Sequence, residues 1–166
     1  MLAPFRDAVE RLTDVPGISW TAAQIVIAEI GVDMSQFPTT DHLISWAGLC
    51  PRLDESAGKR RSTRLRKGAT WLKPVLVQAA LAAGRKKHSS FKTRYCALKG
   101  RLGPKKAAVA VAANLLRVIY HVLKDGTCYK ELGEGYRRHR NPARAAANLA
   151  NRIRALGYQV DIRQAA

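Results

Sequence analysis

From Ser56 to Lys124 the chain has neither an aspartate nor a glutamate. Its twelve acids lie only between Asp7 and Glu55 and between Asp125 and Asp161, while Lys and Arg recur throughout the acid-free stretch and bring the formal net charge to +17. Uncompensated positive charge over that length opposes compaction unless a polyanion neutralises it. The absence therefore excludes an ordinary mixed-sign solvated surface and points to a phosphate backbone, ahead of an anionic membrane. Cysteine is scarce too. Cys50, Cys96 and Cys128 are odd in number, far apart and outside any CxxC, so they supply neither a disulfide framework nor a thiolate metal site. His42, His88, His121 and His139 are equally scattered, and no metal is assigned. No run of about 18 apolar residues could span a bilayer, and Met1 is not followed by the n- and h-regions of a signal peptide. The reading is of a soluble, cytoplasmic protein with reduced thiols and no membrane partner.

What is there is a core-forming chain. At 166 residues and 47% hydrophobic it can build one domain with a tail. Apolar residues at helical spacing predict helices over 3–14 (Phe5, Ala8, Val9, Leu12) and from Trp20 to Ile30, with Ser19 as cap and Gly31 as stop. A third starts at Thr40 or Asp41, and a fourth carries Leu72, Leu76 and Ala80 to Gly84, with Pro74 tolerated in its first turn. A helix around Phe91 and Tyr95 reaches Gly100, a long one runs from Pro104 to Asp125, and an Ala-rich one spans Pro142 to Leu156. Tyr158 to Ile162 alternate weakly, as a short strand would. From Arg52 to Gly68 neither period is visible, and an exposed, mobile basic loop is expected. The fold class is all-α, with a helix-hairpin-helix-like motif near the N-terminus and a long basic loop.

Two segments carry chemistry. Leu12 to Ser19, centred on Val15-Pro16-Gly17, looks like a helix-hairpin-helix, in which a tight turn frees backbone N–H groups to bind a phosphate without reading the base. Ser19 stands where that pattern usually has a second glycine, and a plain helix–helix connection fits the motif equally well. The other segment is the loop Asp54 to Gly68. Serine attack on a phosphodiester needs a base or strong cationic stabilisation, and here the cations are abundant. Ser56 is followed by small Ala57 and Gly58, which would let a DNA backbone approach. Ser56 and Ser62 are also readable as ordinary serines of a phosphate-binding loop.

The series LTDVPGISWTAAQIVIAEIG, Phe37, HLISWAGLCPR, the ESAGK loop, KGATWLKPVLVQAA, KKAAVAVAANLLRVIYHVLKDG and Tyr129, with the tail RIRALGYQV, resembles the C-terminal domain of the bridge-RNA-guided, "one-ten" insertion-sequence family of serine transposases. The resemblance implies a helical transposase domain over 1–130 and a basic tail with one helix over 131–166. It implies a serine that becomes covalently linked to DNA during strand exchange, and the matching position is Ser56, with Ser62 the competing candidate. Lys59, Arg60 and Arg61 would hold the scissile phosphate. Gly17 and Ser19, Arg64, Arg66 and Lys67, Arg85, Lys86 and Lys87, and Lys105 and Lys106 would bind the flanking backbone. Partners would be DNA, with a structured guide RNA and a second copy of the chain left open, although no heptad pattern supports assembly. Family members also carry a RuvC-like domain whose acids bind Mg2+. No counterpart is found in these residues, so this chain is expected to use no cofactor of its own and to catalyse little alone. The alternatives are a noncatalytic DNA- or RNA-binding module and, last, an RNA-coating protein of ribosomal type.

Overall fold

The computed structural model describes residues 5–52, 54–62, 64–133 and 142–162. Seven α-helices are formed among them: α1 (Arg6–Thr13), α2 (Trp20–Ile30), α3 (Thr40–Trp46), α4 (Leu72–Ala83), α5 (Ser90–Leu102), α6 (Pro104–Asp125) and α7 (Pro142–Arg154). A 3-10 turn, Met34–Gln36, joins α2 to α3, and strands β1 (Asp54–Ser56) and β2 (Lys59–Ser62) separate α3 from α4. The protein is mostly helical, as the apolar periods predict.

Local chemistry sets the helix ends. Ser19 Oγ accepts the Ala22 N–H at 3.2 Å and Thr39 Oγ1 the His42 N–H at 3.4 Å, each satisfying a donor that has no partner within its helix. Pro74 sits at the third position of α4, where its missing N–H costs nothing. Helix α5 runs through Gly100, where a stop was expected, and ends at Gly103, whose φ of +78° suits glycine. With only Gly103 between them, α5 and α6 form a tight helical hairpin.

Helix α6 is the centre of the molecule. Val111, Ala112, Leu115, Leu116 and Ile119 are fully buried and pack toward α3, α4, α5 and α1. By length and composition α6 could cross a membrane, but its apolar stripe is this core. Small residues on α4, Ala79, Ala80 and Ala83, let neighbours come close. The α1–α2 connection uses that space. Val15-Pro16-Gly17-Ile18 is a β-turn closed by Ile18 N–H to Val15 O at 3.1 Å, with Pro16 second and Gly17 third at φ +86°, as a type II turn requires. A Cβ on Gly17 would overlap the Ala79 carbonyl and stand 2.7 Å from Ala83 N.

Two expectations are corrected. The segment from Arg52 to Gly68 is not an irregular loop but a β-hairpin. It was invisible to periodicity because its sequence, Asp54-Glu55-Ser56 and Lys59-Arg60-Arg61-Ser62, has no apolar–polar alternation. Tyr158 to Ile162 form no strand; they are irregular and mostly exposed, with no neighbouring strand to supply a ladder. The basic cluster Arg137 to Arg140 lies outside the described residues.

Candidate nucleic-acid interface

The hairpin carries Ser56 together with Lys59, Arg60 and Arg61. Its strands pair antiparallel, with Asp54 opposite Ser62, Glu55 opposite Arg60 and Ser56 opposite Lys59. An irregularity between Asp54 and Glu55 leaves Arg61 as the extra residue of β2, a bulge that sharpens the local twist. Pro51 bridges Leu65 and Arg52 N–H donates to Arg64 O at 2.9 Å, so pairing extends below the named strands. Ala57 and Gly58 close the tip with φ of 52° and 71°, the two positive values of a type I′ turn. Alanine in that region costs about 1 kcal/mol, which the flanking pairs offset.

This geometry decides which residues meet. Ser56 and Lys59 are the pair next to the turn, and directly opposed residues project to the same face of a two-stranded ribbon. Both are exposed, and no described carboxylate or imidazole hydrogen-bonds the Ser56 hydroxyl. Ser62 is placed differently. It is half-buried, and its Oγ accepts the Arg64 N–H at 3.2 Å in a local turn. Arg60 and Arg61 continue β2 away from the tip, and Arg64, Arg66 and Lys67 are exposed along the return strand and its exit.

The root of the arm is fixed by two glycines. A Cβ on Gly48 would lie 2.6 Å from Gly68 Cα, and one on Gly68 would overlap the Ala47 carbonyl, so the backbones entering and leaving the arm touch. Lys73 Nζ donates to Arg66 O at 2.9 Å and ties the exit to α4. The arm therefore projects from a rigid neck.

The other basic residues lie elsewhere. Arg85, Lys86 and Lys87 are exposed in the α4–α5 connection, where His88 takes a φ of 56°. Lys105 and Lys106 occupy the first turn of α6, where cations oppose the helix dipole and no acid balances them. The two groups sit at opposite ends of α5, about 20 Å apart at 1.5 Å per residue. Between them α5 carries Lys92 and Lys99 seven residues apart, and exposed Arg101.

Gly17 and Ser19 have architectural duties that account for both. Gly17 makes the type II turn and the contact with α4, and Ser19 caps α2 at φ −85°, a value that needs no glycine. The sequence also gave no hint of a polar cluster closing the N-terminus of α5. Glu131 Oε1 accepts the Ser90 N–H at 3.0 Å and the Gly133 N–H at 3.2 Å, and Tyr129 Oη donates to Glu131 Oε2 at 3.1 Å. Burial acts to raise the Glu131 pKa, but hydrogen bonds from Ser90, Gly133 and Ser89 outweigh it and hold the carboxyl below its usual range. Burial pushes Tyr129 up to about 12, and its ring stacks on Phe91 at 6.2 Å. The three cysteines are unpaired, and no group of three or more His, Cys, Asp or Glu gathers among the described residues.

Comparison with known proteins bears on this site. The family described as transposase IS116/IS110/IS902 matches residues 9–96, more than half of the chain and all of the hairpin. A protein of Sinorhizobium fredii that carries the name transposase y4pF/y4sB is 29% identical over 129 residues, which cover 74% of this chain and 33% of that protein. The insertion element IS110 43.6 kDa protein of Streptomyces coelicolor is 29% identical over 121 residues, 72% of this chain and 29% of its own length. The chain thus spans about a third of the curated relatives it matches.

Proposed function

Because the chain belongs to the IS116/IS110/IS902 family of transposases, we propose that residues 1–130 are the DNA-binding, serine-nucleophile domain of an insertion-sequence transposase and that 131–166 are a basic tail. The observation that carries this reading is Ser56. It is an exposed hydroxyl opposite Lys59, beside the small Ala57-Gly58 turn, on an arm whose second strand is Lys59-Arg60-Arg61-Ser62 and whose first carries Asp54 and Glu55.

In the proposed reaction Ser56 Oγ gives up its proton and forms a bond to a DNA phosphorus while a bridging P–O bond of the same phosphate breaks. The released DNA hydroxyl takes a proton. Negative charge grows on the non-bridging oxygens during attack, and Lys59, with Arg60 and Arg61 behind it on β2, supplies the cations that stabilise it. Ser62 is the weaker candidate because its hydroxyl already accepts a backbone N–H. The α2 N-terminus beyond the Gly17 turn, Arg64 to Lys67, Arg85 to Lys87 and Lys105–Lys106 would hold flanking phosphates. A base for the serine and the Mg2+-binding acids would come from a RuvC-like domain, in this polypeptide or another, and a guide RNA and a second copy would assemble with it in the cytoplasm.

The test is a covalent adduct. With a RuvC-like domain of the family supplied, wild type should form a protein–DNA adduct resistant to denaturant, and Ser56→Ala should form none. An adduct that persists in Ser56→Ala and disappears in Ser62→Ala would move the nucleophile to Ser62.

A second reading, a noncatalytic DNA- or RNA-binding module, is favoured by one observation: among the described side chains no base touches the Ser56 hydroxyl. It expects Ser56→Ala to bind DNA normally and to leave strand transfer unchanged in the assembled system.

A further inference from the structure

All three tryptophans of this chain stand in solvent, with Trp20, Trp46 and Trp71 exposed by 44, 47 and 72%. Tryptophan is usually heavily buried. Trp71 contributes to the fold neither by burial nor by capping. It holds the N-cap position of α4, where Ser, Thr, Asp or Asn would accept a backbone N–H, and it makes no cap hydrogen bond. Its position relative to the arm is specific. It lies three residues after Gly68, and Trp46 lies two before Gly48, so two exposed indoles flank the neck from which the Ser56 hairpin projects. With Val75 of α4 and Ile25, Ala28 and Glu29 of α2, Trp71 lines a shallow, mainly apolar groove.

The charges around this groove select its occupant. Lys67 lies four residues before Trp71 and Lys73 two after it, while Glu29 is one of the residues that line the groove. A phosphate is thus attracted toward the chain beside Trp71 and repelled by Glu29 in the lining. The rest of the lining offers an indole and aliphatic carbon. An occupant that is flat and apolar, yet tethered to an anion on the cationic side, is a nucleobase. A base within a paired duplex cannot present its face to an indole, whereas an unpaired one can, and aromatic stacking of this kind is tolerant of sequence.

We propose that Trp71 is a stacking platform for an unpaired DNA base at the neck from which the hairpin projects. This rests on the reading of the chain as a DNA-binding transposase domain and adds that the strand is opened, or received open, at the neck of the arm, the end opposite Ser56.

The test measures binding of the chain, at two salt concentrations, to a fully paired duplex and to the same duplex with a short mismatch bubble containing the fluorescent base 2-aminopurine. Wild type should prefer the bubble and quench the reporter. Trp71→Ala should lose on the order of ten-fold in bubble affinity, and the quenching with it, while duplex affinity and its salt dependence stay unchanged. Trp71→Phe should keep most of both. Because Trp71 is largely exposed, its removal leaves no cavity, and an unchanged melting temperature confirms that the variant folds. Salt-dependent DNA binding by wild type with no difference between Trp71→Ala and wild type on the bubble overturns the stacking site and leaves the transposase reading standing. Equal weakening on duplex and bubble also overturns it. Failure of wild type to bind either DNA overturns both. Trp71-dependent self-association without any effect on DNA assigns the groove to a second copy and overturns the proposal.

Discussion

Glu131 shows how one side chain can order a junction. It collects the Ser90 and Gly133 amides and the Tyr129 hydroxyl, so the chain leaving α6 is tied to the start of α5. Its carboxyl is held below the usual range, so the sign of its pH dependence follows. A depressed pKa gives stability that is present above the unfolded value of about 4.3 and is lost as pH falls through the folded value. Glu131→Gln should therefore melt below wild type at neutral pH, and the gap should close on acidification, as thermal unfolding followed by circular dichroism at a series of pH values would show. A gap that stays constant down to acid pH would mean that the ionised carboxylate contributes nothing. None of this was legible in the sequence, because the interaction joins residues 41 positions apart that carry no motif. Ser19 is the opposite case. Its cap is local, and a serine before an apolar helical period announces it.

At the scale of elements the helices were legible and the arm was not. Periodicity found the buried stripes of α4 and α6 because each helix meets the core on one face. The strands of the hairpin have no apolar residue, and its turn is Ala-Gly, not the more recognisable Asn-Gly, so only backbone geometry reveals it. What anchors it is also a backbone matter. A Cβ on Gly68 would overlap the Ala47 carbonyl, whereas one on Gly100 in α5 meets nothing within 4 Å. Gly68→Ala should destabilise by about 1–3 kcal/mol through forced backbone displacement, and Gly100→Ala should stabilise by about 0.5–1 kcal/mol through helix propensity. Urea denaturation of the two variants gives opposite shifts in midpoint if the neck is as tight as described. Equal shifts would remove the distinction.

For the whole molecule, charge is the property that sequence announced most plainly, and its distribution is what the structure adds. The acid-free stretch is not one patch. It is distributed over the arm, the α4–α5 connection and the start of α6, with α5, which carries Lys92, Lys99 and Arg101, running between the last two. Binding to duplex DNA should weaken steeply with salt. In Arg85→Gln/Lys86→Gln/Lys87→Gln the slope of log affinity against log salt should become shallower by roughly 0.9 for each side chain that meets a phosphate. Salt titration by fluorescence anisotropy reads this directly, and an unchanged slope would place the DNA away from this end of α5. Membership of the transposase family emerged from ordered motifs across the chain and is shown by the match over residues 9–96. The proposed role of Ser56 rests on surroundings that no motif spells out.

The contact between Gly48 and Gly68 also makes the hairpin a ruler with a fixed zero. Distance from the body to the serine is counted outward from that neck in units of about 3.3 Å per residue along each strand. Adding one residue to each strand would move Ser56 outward by one unit and turn it to the opposite face, whereas adding two would restore the face two units farther out. Changes of arm length would thus relocate the hydroxyl in discrete steps while the helical body, packed on α6, kept its structure.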